Sequence, residues 1–132
     1  MDYSFKISPQ EGYLHIRISG DNGPDAVSRY LREIYEACLK SACPNVLVEE
    51  NLQGPGIGMT EIFGIVSEAS RQVWPVVQRV AFVDVNPAHD PKTMRFAETV
   101  AVNRSIRICV FPDVPAAEAW LAEQLKAPPA SP

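Results

Sequence analysis

Apolar and polar residues alternate twice near the start of the chain. Tyr3, Phe5 and Ile7 alternate with Ser4, Lys6 and Ser8, and Leu14, Ile16 and Ile18 alternate with His15, Arg17 and Ser19. A period of two sends every second side chain to the same face, so each run predicts a strand with one apolar side. Pro9-Gln10-Glu11-Gly12 supplies turn chemistry between them, and Gly20-Asp21-Asn22-Gly23-Pro24 stops the second run. The pair predicts an antiparallel hairpin.

The period then lengthens. Val27, Tyr30, Leu31, Ile34, Cys38 and Leu39 recur at intervals of three and four, with Arg29, Arg32, Glu33, Glu36 and Lys40 on the other side. This predicts a helix from Pro24 or Asp25 that ends at Cys43-Pro44, followed by a strand over 45–51. After the stretch from Gly54 to Gly58, Thr60 is placed to cap a second helix with Ile62, Phe63, Ile65, Val66, Ala69 and Val73 on its buried face, closed by Trp74-Pro75. A strand over 79–85, a helix over 91–104 with Met94, Ala97, Val100 and Ala101 inward, and a strand over 106–111 follow. Pro115 opens a last helix holding Ala119, Trp120 and Leu125.

The order β-β-α-β-α-β-α-β-α defines an α/β fold with a mixed sheet: an N-terminal antiparallel hairpin, then parallel βαβ strands, with helices packed on it. Residues 1–126 read as one domain and 127–132 as a mobile tail with nothing to bury. A length of 132 residues, 46% hydrophobic and 21% charged, is enough for one real core and excludes the composition of a disordered chain.

Charge and chemistry narrow the function. With 12 basic against 16 acidic side chains the net charge is -4, so no global positive field favours nucleic acid. No apolar run is long enough to span a bilayer, and the start Met1-Asp2-Tyr3-Ser4-Phe5-Lys6 lacks a signal-peptide pattern, so no membrane insertion and a cytoplasmic location are expected. Cys38, Cys43 and Cys109 have no Cys-x-x-Cys spacing and read as reduced thiols, Cys38 and Cys109 as small buried hydrophobes and Cys43 in a turn.

The element order, the chain size and the ending Phe111-Pro112-Asp113, followed by a helix with Ala119-Trp120-Leu121, resemble the SpoIIAA-like proteins, relatives of the STAS anti-sigma factor antagonists. The resemblance implies a non-enzymatic regulatory or protein-interaction module with an unidentified protein partner, and related lipid-binding domains of similar fold keep a small-molecule ligand open. Phosphorylatable members carry a serine at the turn before the second helix. The equivalent turn here, Gly54-Pro55-Gly56-Ile57-Gly58-Met59-Thr60, has no Asp-Ser pair, and Thr60 is its one hydroxyl.

Ligands of open α/β sheets favour the crevice outside the carboxyl ends of the parallel strands. That rule selects three loops: Glu49, Glu50 and Asn51 running into the glycine turn; Asp84 to Asp90, with Asn86 and His89; and Pro112-Asp113. Gly54, Gly56, Gly58, Thr60, Asn51, Asp84 and Asn86 are the expected ligand- or partner-binding residues. Backbone N–H groups of the glycine turn suit an anion, yet the spacing matches neither the P-loop nor the dinucleotide fingerprint.

Asp84, His89 and Asp90 beside Glu49 and Glu50 suit a hard divalent cation, and a metal-dependent hydrolase or phosphoryl-transfer enzyme would use Glu49, Glu50, Asp84 and Asp90; a solvated acidic rim is the alternative. No nucleophile motif is present, so no catalytic residue, metal or cofactor is assigned. A sensor or carrier of a small ligand would line its cavity with Phe63, Trp74 and Met94. An exposed strand edge or helix leaves a homodimer open.

Overall fold

The computed structural model describes residues 3–21, 24–53, 59–72, 76–86, 91–102 and 107–126. Nine elements follow one another: β1 (Ser4–Pro9), β2 (Leu14–Asp21), α1 (Pro24–Ser41), β3 (Asn45–Gln53), α2 (Met59–Gln72), β4 (Arg79–Asp84), α3 (Pro91–Val102), β5 (Arg107–Phe111) and α4 (Val114–Lys126). The sheet order is β1-β2-β3-β4-β5, so every strand lies beside its neighbour in sequence. β1 pairs antiparallel with β2 through Phe5↔Ile18 and Ile7↔Ile16, and β2 to β5 are mutually parallel. The expected order and mixed sheet are those observed. β3 runs two residues beyond the expected end at Asn51, while Arg104 and Ile106 lie outside the described residues.

Period-two alternation divides the sheet into two unlike faces. Ile16 and Ile18 of β2, Val46, Val48 and Leu52 of β3 and Phe82 of β4 form one core with Val27, Tyr30, Ile34, Ala37 and Cys38 of α1. Ile65 of α2 packs against it. The other face carries Leu47, Ala81 and Val83, covered by Ala117 and Leu121 of α4 with Tyr13, Phe111 and Trp120 at the margin. The rings of Phe111 and Trp120 meet at 5.6 Å between centroids, tilted by 45°. Parallel crossovers of one hand that advance in one direction put their helices on one face, so α4, which follows the last strand, is left to cover the other.

Five apolar residues depart from the expected burial. Leu39 is 53% exposed and Phe63 47%, although both belonged to the expected inward faces of their helices, and Ile7 is 43% exposed on the edge strand β1. Phe63 stands two positions, about 200° of helical turn, from the inward Ile65. In α4 the buried residues are Ala117 and Leu121, four apart, while Ala119 is exposed and Leu125 is 37% exposed. Leu125 nevertheless seats on the β1–β2 turn: a Cβ added at Gly12 would lie 2.9 Å from its Cδ1, and Gly12 has φ of +85°.

α1 ends in a Schellman arrangement. Ala42, at φ +51°, donates its N–H to Leu39 O at 3.3 Å, and Cys43 N–H donates to Cys38 O at 3.1 Å. The chain then turns into β3, where Pro44 O accepts from Gln78 N at 2.7 Å and from Arg79 N at 3.2 Å. These bonds join the starts of β3 and β4.

Candidate functional site

The carboxyl ends of β3 and β4 are built around a buried polar contact. Strand alternation turns the adjacent Glu49 and Glu50 to opposite faces. Glu50 is 5% exposed beneath α1, where Tyr30 Oη donates to its Oε2. Burial, then the Glu50 side chain, hold the Tyr30 hydroxyl well above its usual pKa, and Asp84 adds to the effect. A phenol in this setting stays protonated and remains a donor.

Asp84 and Asn86 join this cluster from the end of β4. Asp84 Oδ1 accepts from Asn86 N at 3.0 Å, and Asn86 Nδ2 donates to Leu52 O at 2.7 Å. Val85 N donates to Glu50 O at 2.9 Å, extending the β3–β4 ladder by one bond. An aspartate bonding the backbone two residues on is the common Asx turn, and here the buried Asn86 ties that turn to the end of β3. Both residues therefore shape the rim.

Asn51 stands apart from them on the other face of β3, exposed, and accepts from Gln53 Nε2 at 3.1 Å. Thr60 is the second residue of α2 and exposed, so it lies inside the first turn and not at the cap position expected for it. Gly54, Gly56 and Gly58 lie outside the described residues, as do His89, Asp90 and Trp74. Asp113 is an N-cap: its Oδ1 accepts from Ala116 N at 2.9 Å and its carbonyl from Ala117 N at 3.3 Å. That use gives Asp113 a structural role at the start of α4.

Glu49 belongs to a separate group on the α4 side of the sheet. Its Oε1 lies 3.0 Å from His15 Nε2 and 3.6 Å from Arg17 Nε. His15 is 7% exposed, and its bonding partner among the described residues is Glu49, which orients the ring. The cation site that would join Glu49 to Glu50 is ruled out by their opposite faces. Among the described residues no three His, Cys, Asp or Glu side chains gather to hold a metal ion.

The sequence pattern missed Tyr30 and His15 as polar participants. Tyr30 falls within the apolar stripe of α1, where a helix period reports only that it is buried. Its partner is 20 residues away and His15 lies 34 residues from Glu49, separations that no local spacing encodes.

No protein-family model matches the chain, and no curated protein matches its sequence. Solved structures do match it. A crystal structure of an anti-sigma factor antagonist from Mycobacterium paratuberculosis aligns over 92% of this chain and 95% of its own, with a TM-score of 0.55 and 13% identity. The structure of the anti-sigma factor antagonist SpoIIAA in its unphosphorylated form aligns over 92% of this chain and 98% of its own, with a TM-score of 0.50 and 17% identity. The chain has the SpoIIAA/STAS-like fold. Among the described residues no helix is long and apolar enough to cross a membrane.

Proposed function

We propose that this chain is a regulatory protein-interaction module that binds a protein partner through α2 and the adjoining ends of β3 and β4. The observation that carries the reading is the outward side of α2, where Phe63 is 47% exposed with Thr60, Glu61, Gly64 and Glu68 also exposed. A large aromatic ring held outside the core on a helix is the kind of anchor that interfaces use. Support also comes from the fold, shared with proteins described as antagonists of anti-sigma factors. The module acts by binding and not by turnover, and because Gly54 to Thr60 holds no Asp-Ser pair, it acts without the phosphoserine of the switchable antagonists.

The polar groups at the rim fit this role: Asp84 and Asn86 set the shape of the strand ends, and Asn51 and Thr60 are exposed for contact. The carrier reading loses one of its cavity residues, because Phe63 faces outward. Affinity capture from the native cell extract with wild type and Phe63→Glu in parallel tests the proposal. A protein recovered by wild type and lost with Phe63→Glu supports it; identical recovery with both, while both fold to the same melting temperature, overturns the assignment of α2.

A further inference from the structure

The Schellman end of α1 sets two cysteines against each other. In this motif the third-last helical residue and the second residue beyond the cap are joined by a 6→1 backbone hydrogen bond, and their side chains commonly touch. Those two positions are Cys38 and Cys43, with Cys43 N–H on Cys38 O at 3.1 Å. Cys43 packs against the core cluster that contains Cys38. A direct backbone bond between two residues keeps their Cα atoms near the range of roughly 4.4–6.8 Å that a disulfide spans.

We propose that Cys38 and Cys43 form a thiol pair that a small-molecule disulfide oxidises to an intramolecular disulfide, closing a covalent clasp between the last turn of α1 and the entry to β3.

The environments divide the work. Cys43 is half-buried, with its thiol 3.7 Å from Gly12 O and 3.6 Å from Asn45 O, and offers the accessible sulfur. Cys38 is 2% exposed, and burial, then the neighbouring Cys43, push its thiol up to about 12. Cys43 therefore reacts first: its thiolate attacks one sulfur of the disulfide RSSR, giving a Cys43–S–S–R mixed disulfide and RS⁻. Cys38 then loses its proton to solvent and attacks the Cys43 sulfur, releasing the second RS⁻. In sum, two protein thiols and RSSR become one protein disulfide and two RSH.

Cys109 has no place in this exchange. It lies on β5 in register with Ala81, on the α4 face of the sheet, while Cys38 belongs to the core under α1. The clasp would tighten a junction that matters to the fold, because Pro44 O, next to Cys43, anchors the start of β4.

The test incubates the folded full chain with oxidised glutathione, blocks remaining thiols with iodoacetamide after denaturation, and reads intact mass and tryptic peptides. Trypsin cuts after Lys40, between the two cysteines, so the expected product is peptide 33–40 joined to peptide 41–71, with Cys109 alone alkylated. Cys109→Ser should give the same linkage, and Cys38→Ser should stop at a glutathione adduct on Cys43. A stable glutathione adduct on Cys43 of the wild-type chain, with Cys38 alkylated, would overturn the proposal. So would a Cys43-linked dimer as the main product.

Discussion

Tyr30 of α1 donates its hydroxyl to Glu50 of β3 inside the protein, so the one buried acidic side chain among the described residues is held by a phenol from the helix above it. A buried oxygen that loses its donor bears the cost of desolvation without compensation. Tyr30→Phe should therefore lower stability by about 1–3 kcal/mol near neutral pH, read as a shift of the urea midpoint at unchanged slope. An unaltered midpoint would mean that the contact contributes nothing to the folded state.

The same contact sets a pH dependence. The folded Tyr30 titrates above the ordinary 10.0 because of burial and Glu50, so its contribution is complete below pH 10 and is lost as pH rises through the elevated folded value. Tyr3 acts in the same direction, raised to about 12 by burial and by Glu33. The wild-type chain should lose stability above pH 10, and the gap between it and Tyr30→Phe should narrow there. Denaturation series at stepped alkaline pH check this, and a gap that widens would contradict it.

Glu98 of α3 caps the outer edge of the sheet: its Oε2 accepts from Val110 N of the edge strand β5 at 2.7 Å. An edge donor bonded to a side chain cannot recruit another strand. Glu98→Ala should cost about 1–2 kcal/mol and increase self-association, measured by denaturation and by sedimentation velocity over a concentration series. Loss of stability with no association would confine Glu98 to a local bond.

Ala42 occupies the left-handed region at φ +51°, where a Cβ is strained and glycine is not. Ala42→Gly relieves that strain but gives the unfolded chain more freedom, and the first effect should win by about 0.5–1 kcal/mol. A rise in melting temperature is the expected result, with the mutant's unchanged circular dichroism showing that α1 still ends in the same place.

Gly12 poses the opposite case, because two effects act against any side chain there: φ of +85° and the approach of Leu125 Cδ1 to 2.9 Å. The leucine tip can swing aside, whereas the backbone angle cannot change without moving the turn, so strain should dominate. Gly12→Ala should cost about 1–2 kcal/mol, and adding Leu125→Ala should not restore it. Recovery in the double mutant would assign the cost to the side-chain clash.

Much of the architecture was legible in the sequence because periodicity is local. Periods of two over Tyr3–Ser8 and Leu14–Ser19 and of three and four over Val27–Leu39 give the hairpin and α1, and the βαβ repeat implies parallel strands. What periodicity cannot supply is how far a neighbouring element extends. Ile7 is apolar in pattern but lies on the edge strand, Leu39 stands at the last turn of α1, and Phe63 points away from the core, so all three remain exposed.

The candidate site shows the same division. Sequence placed Asp84 and Asn86 at the end of β4, because strand boundaries are written in local turn chemistry, although β3 runs two residues past Asn51. Only the tertiary structure paired Glu50 with Tyr30, turned Glu49 to His15 on the other face, and used Asn86 to tie β4 to β3. The physical reason is that a side chain's direction follows from its own strand or helix, whereas its partner is chosen by the packing of elements distant in the chain.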